Sequence, residues 1–229
     1  MIAFVLAQEE EIASIAQIDK NFKVYQSSFF KYYLLQKNNK KFVFVFCGVG
    51  KANAAACTTE LIGLFSPTYL INIGIAGTNK TDFEFLDIVL LERNYYLDVD
   101  ATYFNYELGQ IPREEKYFEN NDQLNLKIET LFNKNQIQFK KCYGASCDSF
   151  VNLFNLSHFS NPIFNLVSCI EMEATAIKQI AFKAKVATAF IKIVSDNIWN
   201  NISSEQFEQN YLKLQTKICM IIKLLINSF

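Results

Sequence analysis

Apolar residues along this chain come in short unbroken runs rather than in strict alternation. IAFVLA at 2–7, TYLINIGIAG at 68–77, LDIVLLER at 86–93 and KVATAFIKIVSD at 185–196 each read as an interior strand. Between them lie stretches with helical spacing. KANAAACTTELIGLF at 51–65, residues 122–134 and EATAIKQIAFKA at 173–184 are predicted helices, and the tail from Ser203 to Phe229 is a further long one. Its apolar positions Phe207, Tyr211, Leu214, Ile218, Ile221 and Leu225 recur at helical intervals. The acidic residues after the first strand, followed by IASIA, suit a helix start. KVYQ through GVG at 23–50 is predicted to be two strands about a turn at Asn38 and Asn39. FKKCYGASCDSFV reads as a strand and a loop, Pro162 as part of a loop, and FNLVSCIEM as a return to the core. Residues 94–118 have no clean period and carry many aromatics, which marks a long excursion.

Strands alternating with helices, and apolar on both faces, predict an α/β fold with a mixed or largely parallel central sheet covered by helices. The 229 residues fit one domain over 1–229, with no repeat and no linker. In such a sheet the ligand lies beyond the carboxyl ends of the strands. Four of those ends carry chemistry: QEEE at 8–11, GVG at 48–50, GIAG at 74–77 and SD at 195–196. Their meeting in space is an expectation of the fold.

Composition removes several function classes. Formal net charge is -1 with no basic stretch, so nucleic acid is not an expected partner. The six cysteines are scattered without a CxxC pair, and one histidine, His158, cannot complete a zinc set. No metal and no cofactor is expected, and the cysteines read as small core residues. His158, in NLSHFSNP, reads as structural, and no GxSxG is present for a serine hydrolase. MIAFVLAQEEE lacks a basic leader and ICMIIKLLI is too short for a membrane span. A soluble cytoplasmic protein with no membrane partner is expected.

Neither glycine segment is specific by itself. GVGKAN lacks the third glycine of a dinucleotide fingerprint and the spacing of a P-loop. Tight turn and ligand contact remain equal readings there, and NIGIAGT is equally open. The carboxylates say more. Glu9 and Glu10 read as a solvated helical turn, whereas Glu11 can turn back over the sheet edge. Asp196 ends an apolar run, where partial burial raises a carboxyl pKa toward that of a general acid, with Ser195 holding it by a hydrogen bond. Glu171 and Glu173 flank Met172 and are costly there unless they bind something, for which a sugar diol is a natural target. Three carboxylate sites without metal ligands point to acid/base hydrolysis of a neutral substrate.

AQEEEI, GVGKANAAA, NIGIAG, LDVDATYFNYELGQIP, CDSFV, IEMEATAI and SD occur in an order and at intervals that resemble the 5'-methylthioadenosine/S-adenosylhomocysteine nucleosidases of the nucleoside phosphorylase superfamily. The resemblance covers nearly the whole chain. It implies a nucleoside phosphorylase-like α/β fold on a twisted mixed sheet, a homodimer, and hydrolysis of the N-glycosidic bond of an adenine nucleoside. By resemblance Glu11 activates the water and Asp196 protonates the purine. Glu173 holds the ribose hydroxyls, Met172 packs on the sugar, Phe150 stacks on adenine and Val151 reads its edge. Ala76 and Gly77 border the ribose, and Glu171 and Ser195 join the binding set. Phe104, Tyr106 and Pro112 would reach across the dimer to the 5' substituent, with ordinary packing as the competing reading for each.

Four features depart from the family pattern: Gln8 for methionine, Ile75 for serine, Lys192 for arginine, and a shorter loop after Asp196 where Trp199 or Phe207 would have to serve as lid aromatic. Two rival functions stay open at this point. A purine nucleoside phosphorylase needs phosphate-binding arginine, and the chain has only Arg93 and Arg113. A nucleoside-binding module without turnover would need the aromatic and diol contacts but not both acid and base.

Overall fold

The computed structural model describes residues 1–12, 15–200 and 204–229, with the side chains of 204–208 apart. Strand β1 (Ile2–Leu6) is followed by two short 3-10 turns, Glu9–Ile12 and Ile15–Gln17, where a helix start is predicted. The turn still carries Glu11 and Ile12 inward while Glu9 and Glu10 stay exposed. The next segment holds three strands instead of two: β2 (Lys23–Gln26), β3 (Lys31–Lys37) and β4 (Lys40–Phe46). Strand β2 is exposed throughout, which is why its apolar signal is weak. Asn38 and Asn39 make the predicted turn, both at positive φ (50° and 61°), as a two-residue hairpin of primed type requires.

Helix α1 (Lys51–Phe65) begins after Gly50, whose φ of 97° would strain any other residue, and ends on left-handed Ser66 just before Pro67. Then come β5 (Tyr69–Thr78), β6 (Ile88–Tyr96), a two-residue β7 (Phe118–Glu119), α2 (Asp122–Lys134) and β8 (Lys140–Ser146). Pro162 opens a short helix α3 (Pro162–Leu166) instead of lying in a loop. Its missing N–H is harmless at that position, and the Asn161 side chain accepts from the amides of Ile163 and Phe164. The chain ends with β9 (Cys169–Glu171), α4 (Ala174–Lys183), β10 (Ala187–Asn197) and α5 (Ser204–Ser228).

The strands form one mixed sheet. Strand β1 lies parallel between β4 and β5, and β3 and β2 extend that side by antiparallel pairing. Strand β5 pairs in parallel with β10 over its whole length and antiparallel with β9 at its last two residues. Strands β10, β6, β8 and β9 pair in turn, so the sheet closes back on β5 as a small barrel. One face packs against α2 and α5 and includes Phe4, Phe44, Ile71, Ile191, Leu214, Ile218 and Leu225. The other packs against α1 and α4 and includes Val5, Val45, Cys57, Leu61, Ile177 and Phe190. Each such side chain contributes roughly 1.5–3 kcal/mol on burial. All six cysteines are buried and free. No described helix is long and apolar enough to cross a membrane.

Candidate active site

Strand β5 is the wall on which the site is built. GIAG is strand and not loop, and its glycines are cut-outs. A Cβ on Gly74 would lie 2.5 Å from Glu11 Oε1, and one on Gly77 would lie 3.3 Å from Asp196 Oδ2. The strand therefore admits one carboxylate at each of these positions because it has no side chain there. Both carboxylates line a single cavity of about 700 Å³. All four strand ends singled out in the sequence reach this cavity, through Gln8 and Glu11, Val49, Ile75 to Gly77, and Ser195 and Asp196.

Glu11 is 4% exposed, and among the described residues the hydrogen bonds to it come from the backbone. The amides of Ala7 and Gln8 donate to Oε2 at 2.8 and 3.2 Å, and that of Ile75 donates to Oε1 at 3.2 Å. Burial pushes its pKa up, while the Lys192 ammonium and the three amides pull the other way. A partly offset carboxylate is what a general base at neutral pH needs.

Asp196 owes its place to an irregularity. The register of β10 on β5 runs Val194 with Ala76 and then Asp196 with Gly77, so Ser195 is the extra residue of a bulge. A bulge re-aims side chains at a strand end. The Ser195 hydroxyl donates to Asp196 Oδ1 at 2.6 Å. Burial raises the Asp196 pKa and the Ser195 bond works against it. The carboxylate at the end of the apolar run is thus a half-buried acid aimed into the cavity.

Glu171 and Glu173 are both buried and their oxygens are used differently. Oε2 of Glu171 accepts from the amides of Glu173 and Ala174 at 3.0 and 2.8 Å, and from Lys192 Nζ at 2.9 Å. Its other oxygen accepts the Ser146 hydroxyl. Both oxygens of Glu171 are thus engaged by protein, Oε2 three times, although the residue still borders the cavity. Among the described residues Glu173 accepts only the Gly50 amide, at 2.9 Å on Oε1, which leaves Oε2 for a ligand. Burial, and then the neighbouring Glu171 charge, push Glu173 up to about 7.

Phe150, 58% exposed, and buried Val151 line the cavity beside Met172 and Ala76. Phe104 and Pro112 are exposed, Tyr106 is partly exposed, and none of the three lines the cavity within this chain. Trp199 is directed elsewhere. Its indole N–H donates to the Asn79 carbonyl at 2.8 Å and its ring meets Phe164 edge-on. The side chain of Phe207 lies outside the described residues. Ile198 and Tyr211 border the cavity instead. Tyr211 was legible only as part of the apolar stripe of α5, and nothing in the pattern separated it from core. His158 is exposed on a 3-10 turn away from the cavity lining. Among the described residues no group of histidine, cysteine, aspartate or glutamate is placed to hold a metal ion.

The family model of the Phosphorylase superfamily matches residues 1–227. A 5'-methylthioadenosine/S-adenosylhomocysteine nucleosidase of Buchnera aphidicola is 31% identical over 225 residues, covering 98% of this chain and 95% of that protein. The nucleosidase of the same name from Staphylococcus haemolyticus is 34% identical, covering 90% and 92%. The chain belongs to the 5'-methylthioadenosine/S-adenosylhomocysteine nucleosidase family of that superfamily. A solved nucleosidase of this family from Colwellia psychrerythraea, in complex with adenine, superposes with a TM-score of 0.88 at 25% identity, covering 99% of this chain and 94% of that one.

In this member of the nucleosidase family Lys192, Lys51 and Arg93 are each paired with a carboxylate. Lys192 stands in a salt bridge with Glu171 and is 2% exposed. Lys51, which follows the GVG turn, binds Asp98 at 2.6 and 2.7 Å, and its own amide donates to Asp148 at 2.8 Å. Arg93 pairs with Glu119 and lies over the rings of Tyr117 and Tyr143. Neither arginine lines the cavity.

Proposed function

We propose that this protein hydrolyses the N-glycosidic bond of 5'-methylthioadenosine and S-adenosylhomocysteine, releasing adenine. The observation that carries the reading is the pair of carboxylates, Glu11 and Asp196, seated over two glycines of one strand and facing one cavity. Adenine is a poor leaving group until N7 takes a proton, which Asp196 supplies. The C1' centre gains cationic character as the bond breaks, as in sugar hydrolysis generally. Glu11 takes the proton of the attacking water. Glu173 accepts from the ribose hydroxyls through its open oxygen, so that binding energy places C1' between acid and base. Met172 packs on the sugar, Phe150 stacks on adenine and the Val151 backbone reads its edge. Ala76 and Gly77 form the floor, and Ser195 orients Asp196. Glu171 belongs to the binding set on the cavity wall, where it also fixes the geometry of Glu173.

Phosphorolysis finds less support. No arginine lines the cavity, and Lys51 and Lys192 are both neutralised by carboxylates. The remaining parts of the reading follow the family. The chain is one nucleosidase domain over 1–229, since one sheet draws strands from almost its full length. It acts in the cytoplasm, in methionine salvage, as a homodimer. The exposed Tyr103 and Phe104 (89% and 69%) suit a contact that brings Phe104, Tyr106 and Pro112 to the partner's 5' pocket.

The test is adenine release from 5'-methylthioadenosine with and without phosphate, for the native protein and Asp196→Asn. Expected are phosphate-independent release and a loss in the variant of about 10²–10⁴-fold in kcat. Strict phosphate dependence with a ribose 1-phosphate product removes the hydrolase reading. No turnover by the native protein favours a silent binding module.

A further inference from the structure

Among the described residues, the three groups that donate to Glu11 are all main-chain amides, of Ala7, Gln8 and Ile75. They converge from two separate elements, the end of β1 and the middle of β5. Gly74 removes the one Cβ that would fill the space between them. The buried Lys192 ammonium, although paired with Glu171, still acts electrostatically on the same point. Convergent amides with a nearby cation form an anion receptacle. Here the chain's own carboxylate fills it.

We propose that the Ala7–Gln8–Ile75 amide nest is an anion site kept shut by the Glu11 side chain, and that this tethered anion makes water the nucleophile. The inference rests on the hydrolase reading above. Once the side chain is removed, the nest takes a small oxyanion such as phosphate next to C1'. A phosphate oxygen then forms the bond to C1' as the C1'–N9 bond breaks. The proton of hydrogen phosphate ends on adenine by way of Asp196, so the products are the ribosyl 1-phosphate and adenine. Glu11 is thus a specificity-determining residue as well as the base.

Glu11→Ala opens the nest and Glu11→Gln keeps it filled with a neutral group of the same shape. Both are expected to lose about 10²–10⁴-fold in hydrolysis. On adding 50 mM phosphate, about the level that would fill a weak site, Glu11→Ala should release adenine at least about tenfold faster and yield 5-methylthioribose 1-phosphate. Glu11→Gln should gain nothing, and the native protein should be indifferent to phosphate. The melting temperature of Glu11→Ala should rise with phosphate and not with chloride at equal ionic strength. If this variant is unfolded alone, phosphate should restore its fold. No ribosyl phosphate and no phosphate-dependent Tm or refolding in Glu11→Ala overturns the proposal, as does equal rescue of Glu11→Gln. Failure of the native protein to release adenine is a different result and strikes the hydrolase reading instead.

Discussion

Two lysines are buried among the described residues, and their surroundings send them in opposite directions. Lys192, on β10 behind the cavity, is 2% exposed; Lys178, on α4 against the same strand, is 5% exposed. Burial works against the charge on both. Around Lys192 it is outweighed by Glu171, Glu173 and Glu11, and the pKa is raised. Lys178 has the Thr188 hydroxyl at 2.8 Å and burial alone pushes it down to about 8. Burial does not set the behaviour of an ionisable group; its partners do. At the cavity three carboxylates share one cation. That arrangement ties Glu171 to the protein, while the proposed mechanism assigns Glu173 to the sugar and Glu11 to the water.

The comparison breaks first at Lys192. Lys192→Met strands Glu171 in the interior without its cation, and such half-pairs cost about 3–5 kcal/mol. Urea unfolding should show a loss of that order, and Lys192→Met with Glu171→Gln should recover part of it. A double variant no more stable than the single one would mean that the pair is not the source. The next effect is on activity. In the proposed mechanism Glu173 is ionised to accept from the sugar, and burial beside Glu171 pushes its carboxyl up to about 7. The kcat/KM should therefore fall close to tenfold per pH unit below that value, by about 1.4 kcal/mol. Glu173→Gln should flatten this acid limb while raising KM. An unchanged limb assigns it to another group.

Lys178 sharpens the other side. Its folded pKa lies below the ordinary 10.5, so the folded state holds the proton at a penalty throughout neutral pH. Lys178→Met should stabilise the protein by about 1–2 kcal/mol at pH 7, less than the full shift because Thr188 loses its donor. The sign fixes the pH dependence. Below about 8 the penalty is constant, and as pH rises from about 8 toward 10.5 it disappears. The advantage of the variant should shrink over that window. Parallel stability curves for the two proteins would show that Lys178 is solvated in the folded state.

Most of the fold was legible, for a definite reason. The interior strands and α1, α2 and α4 are long, periodic and punctuated by glycine, proline or a cap, so local and tertiary signals agree. What escaped was short or exposed. Strand β2 has no buried face, α3 is shorter than the window in which helical period shows, and the acidic turn after β1 lacks the length for an α-helix. The carboxylates of the site were legible because an acid at the end of an apolar run is anomalous. The division of labour between Glu171 and Glu173 was not, because it depends on which backbone amides face each one. Tyr211 and Ile198 were hidden for the opposite reason, since apolar and aromatic residues at a cavity rim follow the same pattern as core.

Gly50 has a consequence for how the pieces move together. It starts α1 and gives its amide to Glu173, while Lys51 beside it reaches Asp98 and, through its own amide, Asp148. Glu173, Asp98 after β6 and Asp148 in the loop leading to Phe150 are therefore all tied to the first two residues of this helix start. A substitution that shifts this helix start acts on Glu173, Asp98 and Asp148 together.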